Sequence, residues 1–371
     1  MKISGWGKYP FKKTKLYYPK SFNEIKKILK NDKKLIARGN GRSYGDSSIG
    51  FQETISTINL NDVISFNYSS GILVAESGIL FKDIIEKFLP VGWFPYVVAG
   101  TKYITLGGAV AADIHGKNHH NEGTIANYIE WFELIIPNGK TLKCSRKENL
   151  DYFKWTIGGM GLTGIITKVC MRLRQVDTGL IKQKIIRTQN LKETFSVLND
   201  SKNYTYSVAW LDTMSKGINL GRSIITLGDH LNESVNEISI KNKYSTKENN
   251  FLNIPFNFPN LFLNKYSIKI FNSLYYNMHF LVKKEKNILW NKFFYPLDKI
   301  INWNRMYGSK GFMQFQTVIP FENSYKGIDK IINKIQEKKS GSFLTVLKKF
   351  GAYRDGLSFP MEGYTITLDF P

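Results

Sequence analysis

The sequence predicts two domains of mixed α and β structure, and three observations carry that expectation. Its 371 residues exceed the ~250 to 300 at which a single hydrophobic core stops growing. Up to about residue 175, short apolar runs that stop at glycine interleave with stretches of helical spacing, the texture of an α/β or α+β domain. Beyond Val176 the glycines thin out and period-two alternation appears, so residues 1–175 and 176–371 are expected to form separate domains.

The elements follow in order. From Ser21 to Lys30, the residues Phe22, Ile25, Ile28 and Leu29 fall on one helix face, and Ser21 with Glu24 has the spacing of a capping box. Lys34–Arg38 reads as a strand stopped by Gly39, and Ile72–Ala75 as one stopped by Glu76-Ser77-Gly78. Leu80–Leu89 returns to helical spacing, and Trp131–Ile136 is a strand closed by the turn Pro137-Asn138-Gly139. In the second half, alternation marks strands at Tyr204–Leu211, Met313–Ile319 and Tyr364–Phe370. Phe251–Val282 stands apart. It is crowded with Phe, Leu, Ile and Tyr, broken at Pro255 and Pro259, and followed by Lys283-Lys284-Glu285-Lys286. Such a segment suits either a lipid surface, with Lys265 and Lys269 on phosphates, or a helical hairpin packed on the domain.

Composition narrows the function classes. At 42% apolar and 14% aromatic residues the chain has ample material for packed cores. Cys144 and Cys170 are its two cysteines, too few for a disulfide scaffold or a multi-cysteine zinc site. Lys and Arg number 52 against 30 Asp and Glu, a formal net charge of +22. That excess can serve nucleic acid, an anionic membrane or substrate, or plain solvated surface. The lysines are scattered and no nucleic-acid-binding motif is present, so nucleic acid is not the expected partner. Met1–Lys20 has no signal-peptide core, and no run reaches the ~18 apolar residues of a membrane span. The expected location is the cytoplasm, with peripheral contact at the inner membrane face through residues 251–286.

Three glycine-rich segments carry the chemistry. In Ala37–Asp46, which follows a strand, the glycines allow close backbone approach and successive N–H groups can form an anion nest, suited to a dinucleotide pyrophosphate. The Rossmann fingerprint is not met, because the third glycine is displaced and no helix opens at it. In Ala99–His120, nothing larger than Val or Leu occurs from Leu106 to Ala112, as a backbone pressed on a flat ring system requires. His115, His119 and His120 cluster there, but Gly116 breaks the helix that metal ligation would need, and no metal is expected. Gly158–Thr167 supplies a third close approach and runs into a β-branched strand.

In this order the three segments resemble the vanillyl-alcohol oxidase type of FAD-linked oxidases, and within that family the branch of decaprenylphosphoryl-ribose 2-oxidases. The carrying runs are Ala37–Asp46, Gly107–His120 and Gly158–Ile165, joined by Trp303-Asn304-Arg305, Gln314-Phe315-Gln316, Leu344–Gly351 and Leu368–Pro371. The resemblance implies an α+β fold with a PCMH-type FAD-binding domain and an antiparallel-sheet substrate domain. It assigns the pyrophosphate loop to Ala37, Arg38, Gly39, Asn40, Gly41, Arg42, Ser43, Tyr44, Gly45, Asp46 and Ser47. Further FAD contacts fall on Gly100, Thr105, Leu106, Gly107, Gly108, Ala112, Asp113, Ile114, His115, and Ile165 or Ile166. Relatives that attach flavin covalently use a histidine in the first loop; Tyr44 and its neighbours offer none, which implies non-covalent FAD. His115 is the implied catalytic residue at the flavin, with Trp210, Gln314, Gln316, Lys348 and Thr367 on the substrate side.

The implied activity is oxidation of a sugar secondary hydroxyl, above all the 2-hydroxyl of a polyprenyl-phosphate-linked pentose, by hydride transfer to flavin N5. A short-chain reductase partner would complete an epimerisation in cell-envelope polysaccharide synthesis. Two departures stand out. Thr367 replaces the family's cysteine, and the chain stops at Pro371 inside a strand pattern where the family continues, so a fragment or a truncated, inactive form is expected. The competing readings are an aldonolactone or alditol oxidase on a soluble sugar, an inactive relative, and a basic nucleic-acid-binding protein.

Overall fold

Near the N-terminus a small parallel sheet forms, in which Lys15–Tyr17 and Leu35–Arg38 flank Glu53–Ser56. The structure, a computed structural model, describes residues 1–30, 34–232, 243–246, 252–259, 262–352 and 356–371. Helix Phe22–Leu29 closes this sheet and starts where the Ser21 hydroxyl accepts from the Glu24 amide at 3.3 Å. The Glu24 carboxylate takes the N–H of Lys20 rather than that of Ser21, so the return half of the capping box is displaced by one residue. Ile25 is buried with Ile55, Leu60, Ile135 and Ile165, which locks the small sheet onto the next layer.

That layer is antiparallel, in the order Thr141–Ser145, Ile129–Ile135, Ile165–Gln175, Ile72–Glu76, Val63–Asn67. Trp93–Pro95 pairs with the far end of Ile165–Gln175. Helix Phe81–Phe88 buries Phe81, Ile84, Ile85 and Phe88, the apolar face read from the sequence, against Leu73, Ala75 and Phe132.

A seven-stranded antiparallel sheet makes the second unit, ordered Glu285–Leu289, Leu180–Thr188, Ser223–His230, Tyr206–Leu211, Thr345–Phe350, Gly363–Phe370, Met313–Ile319. Alternation sends its side chains to two destinations. Ala209, Leu211, Leu347, Ile366 and Leu368 are buried beneath helices Leu191–Asp200 and Phe321–Glu337. Trp210, Lys348, Thr365, Thr367, Gln314 and Gln316 occupy the other face, where Gln316 meets His115 of the first unit.

Gln175 ends the last strand of one layer and Leu180 begins the next. The two units nonetheless share a core. Tyr206, Trp290, Phe293 and Phe294 of the second are buried in the same cluster as Phe94 and Phe132 of the first, with Phe94 and Phe294 stacked at 5.4 Å. Of the aromatic segment, Phe251 and residues 260–261 lie outside the described residues; the remainder supplies strand Leu252–Asn253 and helix Lys265–Met278. Among the described residues no helix is long and apolar enough to cross a membrane.

Ile332 is fully buried between helix Phe321–Glu337 and the seven-stranded sheet. Ile332→Ala should therefore cost about 2–5 kcal/mol, read as a lowered urea midpoint. A loss under ~1 kcal/mol would mean that the helix does not anchor this sheet.

Candidate active site

The first glycine loop leaves strand Leu35–Arg38 and is held from behind. Arg38 donates to the Ser4 carbonyl at 2.7 Å and to Ser48 Oγ at 3.3 Å, Ser43 and Ser48 share a hydroxyl hydrogen bond at 2.9 Å, and Lys12 pairs with Asp46 at 2.6 Å. Gly41 takes φ +62°, and a Cβ there would meet the Arg38 guanidinium at 2.1 Å, so only glycine fits. Among the described residues, the backbone N–H groups of 39–45 donate to no protein acceptor. Arg42 lies over Trp6 at 4.2 Å and Tyr103 at 5.1 Å.

The second segment meets the first at one close contact. A Cβ on Gly39 would lie 2.1 Å from Thr105 Oγ1. Thr105 caps helix Leu106–Ala111 by accepting from the Gly108 amide at 3.2 Å, while Asn40 donates to the Tyr103 carbonyl at 2.8 Å. Around Gly45 and Gly100 a Cβ would touch nothing within 4 Å, so both open onto free space. After the helix, Asp113 turns the chain at φ +41°, a strained angle for a residue with a Cβ. Its buried carboxylate accepts from the Ala126 amide at 3.2 Å and from the Ser358 hydroxyl. The Ile114 carbonyl accepts from the Ile125 amide at 3.0 Å while the Ile114 N–H donates back to the Ala109 carbonyl at 3.1 Å, and His115 bridges to Thr124.

His115 thereby faces the seven-stranded sheet. The Gln316 amide nitrogen lies 3.4 Å from His115 Nε2 and 3.0 Å from Thr365 Oγ1, and Phe350 sets its ring edge on the imidazole at 4.8 Å. Burial, then the charge of Lys348, hold the His115 imidazole well below its ordinary range, so it is neutral at pH 7. Lys348 is pushed down to about 8 by burial. Lys117 falls to about 7 by burial and then by Lys348, and it donates to the Phe293 carbonyl. Among the described residues, no carboxylate figures among the groups acting on either lysine. His115, Lys117 and Lys348 are deep in the protein yet keep partly accessible surface, as groups lining an internal recess do.

The third segment packs on the second. Met160 donates its N–H to the Ala111 carbonyl at 2.9 Å, and Gly158 its N–H to Val110 at 3.3 Å. Ile165 and Ile166 are buried in opposite cores, which leaves their backbone rather than their side chains for a ligand to approach. Leu106 and Gly107 are likewise buried, and Ala112 is half-buried at the end of the short helix.

Comparison with known proteins bears on what such a recess holds. The FAD binding domain family matches residues 15–145. Decaprenylphosphoryl-beta-D-ribose oxidase of Mycolicibacterium smegmatis is 35% identical over 91% of this chain and 74% of its own length. The chain belongs to the FAD-linked oxidase family. A putative D-arabinono-1,4-lactone oxidase of Neurospora crassa is 25% identical over 42% of this chain and 28% of its own. Cytokinin dehydrogenase 5 of Arabidopsis thaliana is 29% identical over 35% of this chain and 23% of its own.

The oxidase is an FAD-dependent oxidoreductase for CH–OH substrates, and its first loop fits the cofactor. The run of N–H groups from 39 to 45 that, among the described residues, donate to no protein acceptor, closed from behind by Arg38 and Ser43, has the form of a nest and would suit an anionic pyrophosphate. Sequence-predicted residues are thus distributed unevenly. Gln316, Lys348 and His115 converge, and Thr367 stands opposite Gln316 in the register. Gln314 is turned along the same face onto Asp369, at 2.8 Å. Trp210 lies further out, its indole N–H on the Phe343 carbonyl at 2.9 Å and its ring beside Tyr275.

Sequence reasoning passed over Lys117, Thr365 and Asp369. Thr365 and Asp369 share a face with Thr367 by simple alternation, a signal that was present. Lys117 gave none, since nothing in the run distinguishes a buried lysine from a solvated one. His119 and His120 serve the seam: His119 Nδ1 accepts from the Gly351 amide at 3.2 Å, and His120 Nε2 lies 3.0 Å from the Tyr204 carbonyl. Among the described residues no three His, Cys, Asp or Glu side chains gather as a metal site.

Gly39→Val should collapse flavin retention, because its side chain would occupy the space of Thr105 Oγ1. The check is the ratio of flavin absorbance to protein after purification. Full retention would show that the two loops need not meet.

Proposed function

We propose that the chain oxidises the 2-hydroxyl of a polyprenyl-phosphate-linked pentose, holding its FAD non-covalently. The observation that carries this reading is the convergence of a neutral histidine, a glutamine amide, two hydroxyls and two cations on the seam between the FAD-binding unit and the sheet. A relative of that name, matched along 91% of this chain, supports the same substrate class. Residues 1–175 then serve FAD and 176–371 the substrate.

FAD, when bound, supplies the hydride acceptor. The protein's own part is proton handling and positioning. His115 is neutral, and its Nε2, which the Gln316 amide nitrogen approaches to 3.4 Å, becomes the acceptor for the hydroxyl proton once the sugar takes the place of that contact. Gln316, fixed by Thr365, orients that ring and offers its amide to a neighbouring sugar hydroxyl. Lys348 and Lys117 present positive charge to an anionic ligand, at a place where burial strengthens every such contact. Thr367 adds a hydroxyl where relatives of the resembling branch have a thiol. The product ketone would pass to a separate short-chain reductase, and the work is placed at the inner membrane face because the sugar is carried on lipid.

Anaerobic mixing with a polyprenylphosphoryl-ribose should bleach the flavin absorbance. Bleaching by D-arabinono-1,4-lactone instead, with no response to the lipid-linked sugar, would overturn the proposal. His115→Ala should slow flavin reduction by roughly 10²- to 10⁴-fold while FAD stays bound.

The lysines give a pH signature with a definite sign. The Lys117 ammonium is lost as pH rises through about 7 and that of Lys348 through about 8, so kcat/KM should fall across that range. Lys348→Gln should remove the upper part of this limb; an unchanged upper part would assign it to another group.

A further inference from the structure

Helix Lys265–Met278 has two opposed faces, each a row of residues four apart. Ile268, Asn272 and Tyr276 point inward and are buried. Asn272 donates to Asp212 Oδ1 at 2.9 Å, the Tyr276 hydroxyl donates to the Thr188 carbonyl at 3.1 Å, and Arg222 links Asp212 to Ser273. The helix is therefore fastened to the sheet. Its outer row is Tyr266, Ile270, Leu274 and Met278, exposed by 67%, 61%, 61% and 59%, and just past the helix end Phe280 and Leu281 are exposed by 77% and 88%. A continuous apolar row of this length on a surface marks an interaction site.

The charge around the row selects the occupant. From Leu252 to Lys284 the sequence has four lysines, Lys265, Lys269, Lys283 and Lys284, and no Asp or Glu. Burial first, and then the nearby charges of Lys292 and Lys286, lower the Lys299 ammonium, so these three lysines are neighbours. A second copy of this chain would bring the same positive rim against it. An anionic bilayer leaflet complements both the apolar row and the lysines.

We propose that helix Lys265–Met278 is an interfacial anchor, laying Tyr266, Ile270, Leu274 and Met278 into an anionic leaflet with the flanking lysines on lipid phosphates. Its purpose rests on the lipid-linked substrate proposed above. Tyr275 of the helix lies 4.7 Å from Trp210, on the sheet face that also carries Lys348, so docking here sets the recess beside the membrane surface.

The test is co-sedimentation of the full chain, without substrate, with phosphatidylcholine vesicles and with vesicles containing about one-third phosphatidylglycerol. The wild type should pellet with the anionic vesicles at least tenfold more than with the neutral ones, and raised salt should release it. Ile270→Glu with Leu274→Glu should cut the anionic partition about tenfold or more, and Lys283→Gln with Lys284→Gln should cut it less. Both pairs are exposed, so the flavin spectrum should be unchanged. A wild type that stays in solution, equal partition of wild type and the Glu pair, or a dimer that the Glu pair splits would each overturn the proposal. Flavin reduction by a short-chain, water-dispersed phosphoryl-ribose is read separately: its absence would sink the oxidase reading and leave the vesicle result standing.

Discussion

Among the described residues, the ammonium groups of Lys348 and Lys117 are buried with no carboxylate acting on them. Lys348, brought down to about 8, has its charged form disfavoured by roughly 3 kcal/mol relative to water, and Lys117 more so. A chain with 30 acidic residues could have placed one beside them. Instead burial lowers both ammonium groups, the charge of Lys348 lowers Lys117 further, and burial with that same charge keeps His115 neutral. Buried groups shifted this way gather where ligands bind, because an arriving anion recovers the desolvation cost.

The rest of the structure holds that cluster in place from two sides. On one side, Asp113 is kept at positive φ by Ala126 and Ser358, which aims His115 across the seam. On the other, strict alternation in the seven-stranded sheet spends Leu347, Ile366 and Leu368 on the helix layer and leaves Lys348, Thr365, Thr367 and Gln316 for the recess. The shared aromatic core around Phe94, Trp290 and Phe294 keeps the two sides in register. Loosening that core would reach the site as surely as altering Gln316.

Much of this was legible in the sequence, for physical reasons that differ by element. Helix Phe81–Phe88 and strand Met313–Ile319 follow directly from periodicity, since burial on one face writes its period into the chain. The pairing of Gln314 and Gln316 on one face needed only alternation. The first loop was readable because positive φ and close approach demand glycine, as Gly41 and Gly39 show. What sequence could not show is burial of polar groups by distant partners. Lys117 looks like any surface lysine until Phe293, 176 residues away, accepts from it. The resemblance implies Arg38 and Asp46 as cofactor residues; the structure shows their side chains on Ser4, Ser48 and Lys12, partners 34, 10 and 34 residues away that the loop itself does not announce. The aromatic segment allowed a packed hairpin or a lipid face; in the described residues it gives one helix, packed on one side and open on the other.

All of this turns on the recess being cationic by design of the fold rather than by a bound partner. The direct measurement is a heteronuclear NMR titration of the Lys348 ammonium, assigned by comparison with Lys348→Gln. A midpoint near 8 is expected; a midpoint at the ordinary 10.5 would mean that the lysine is solvated or paired, and that burial does not set its charge.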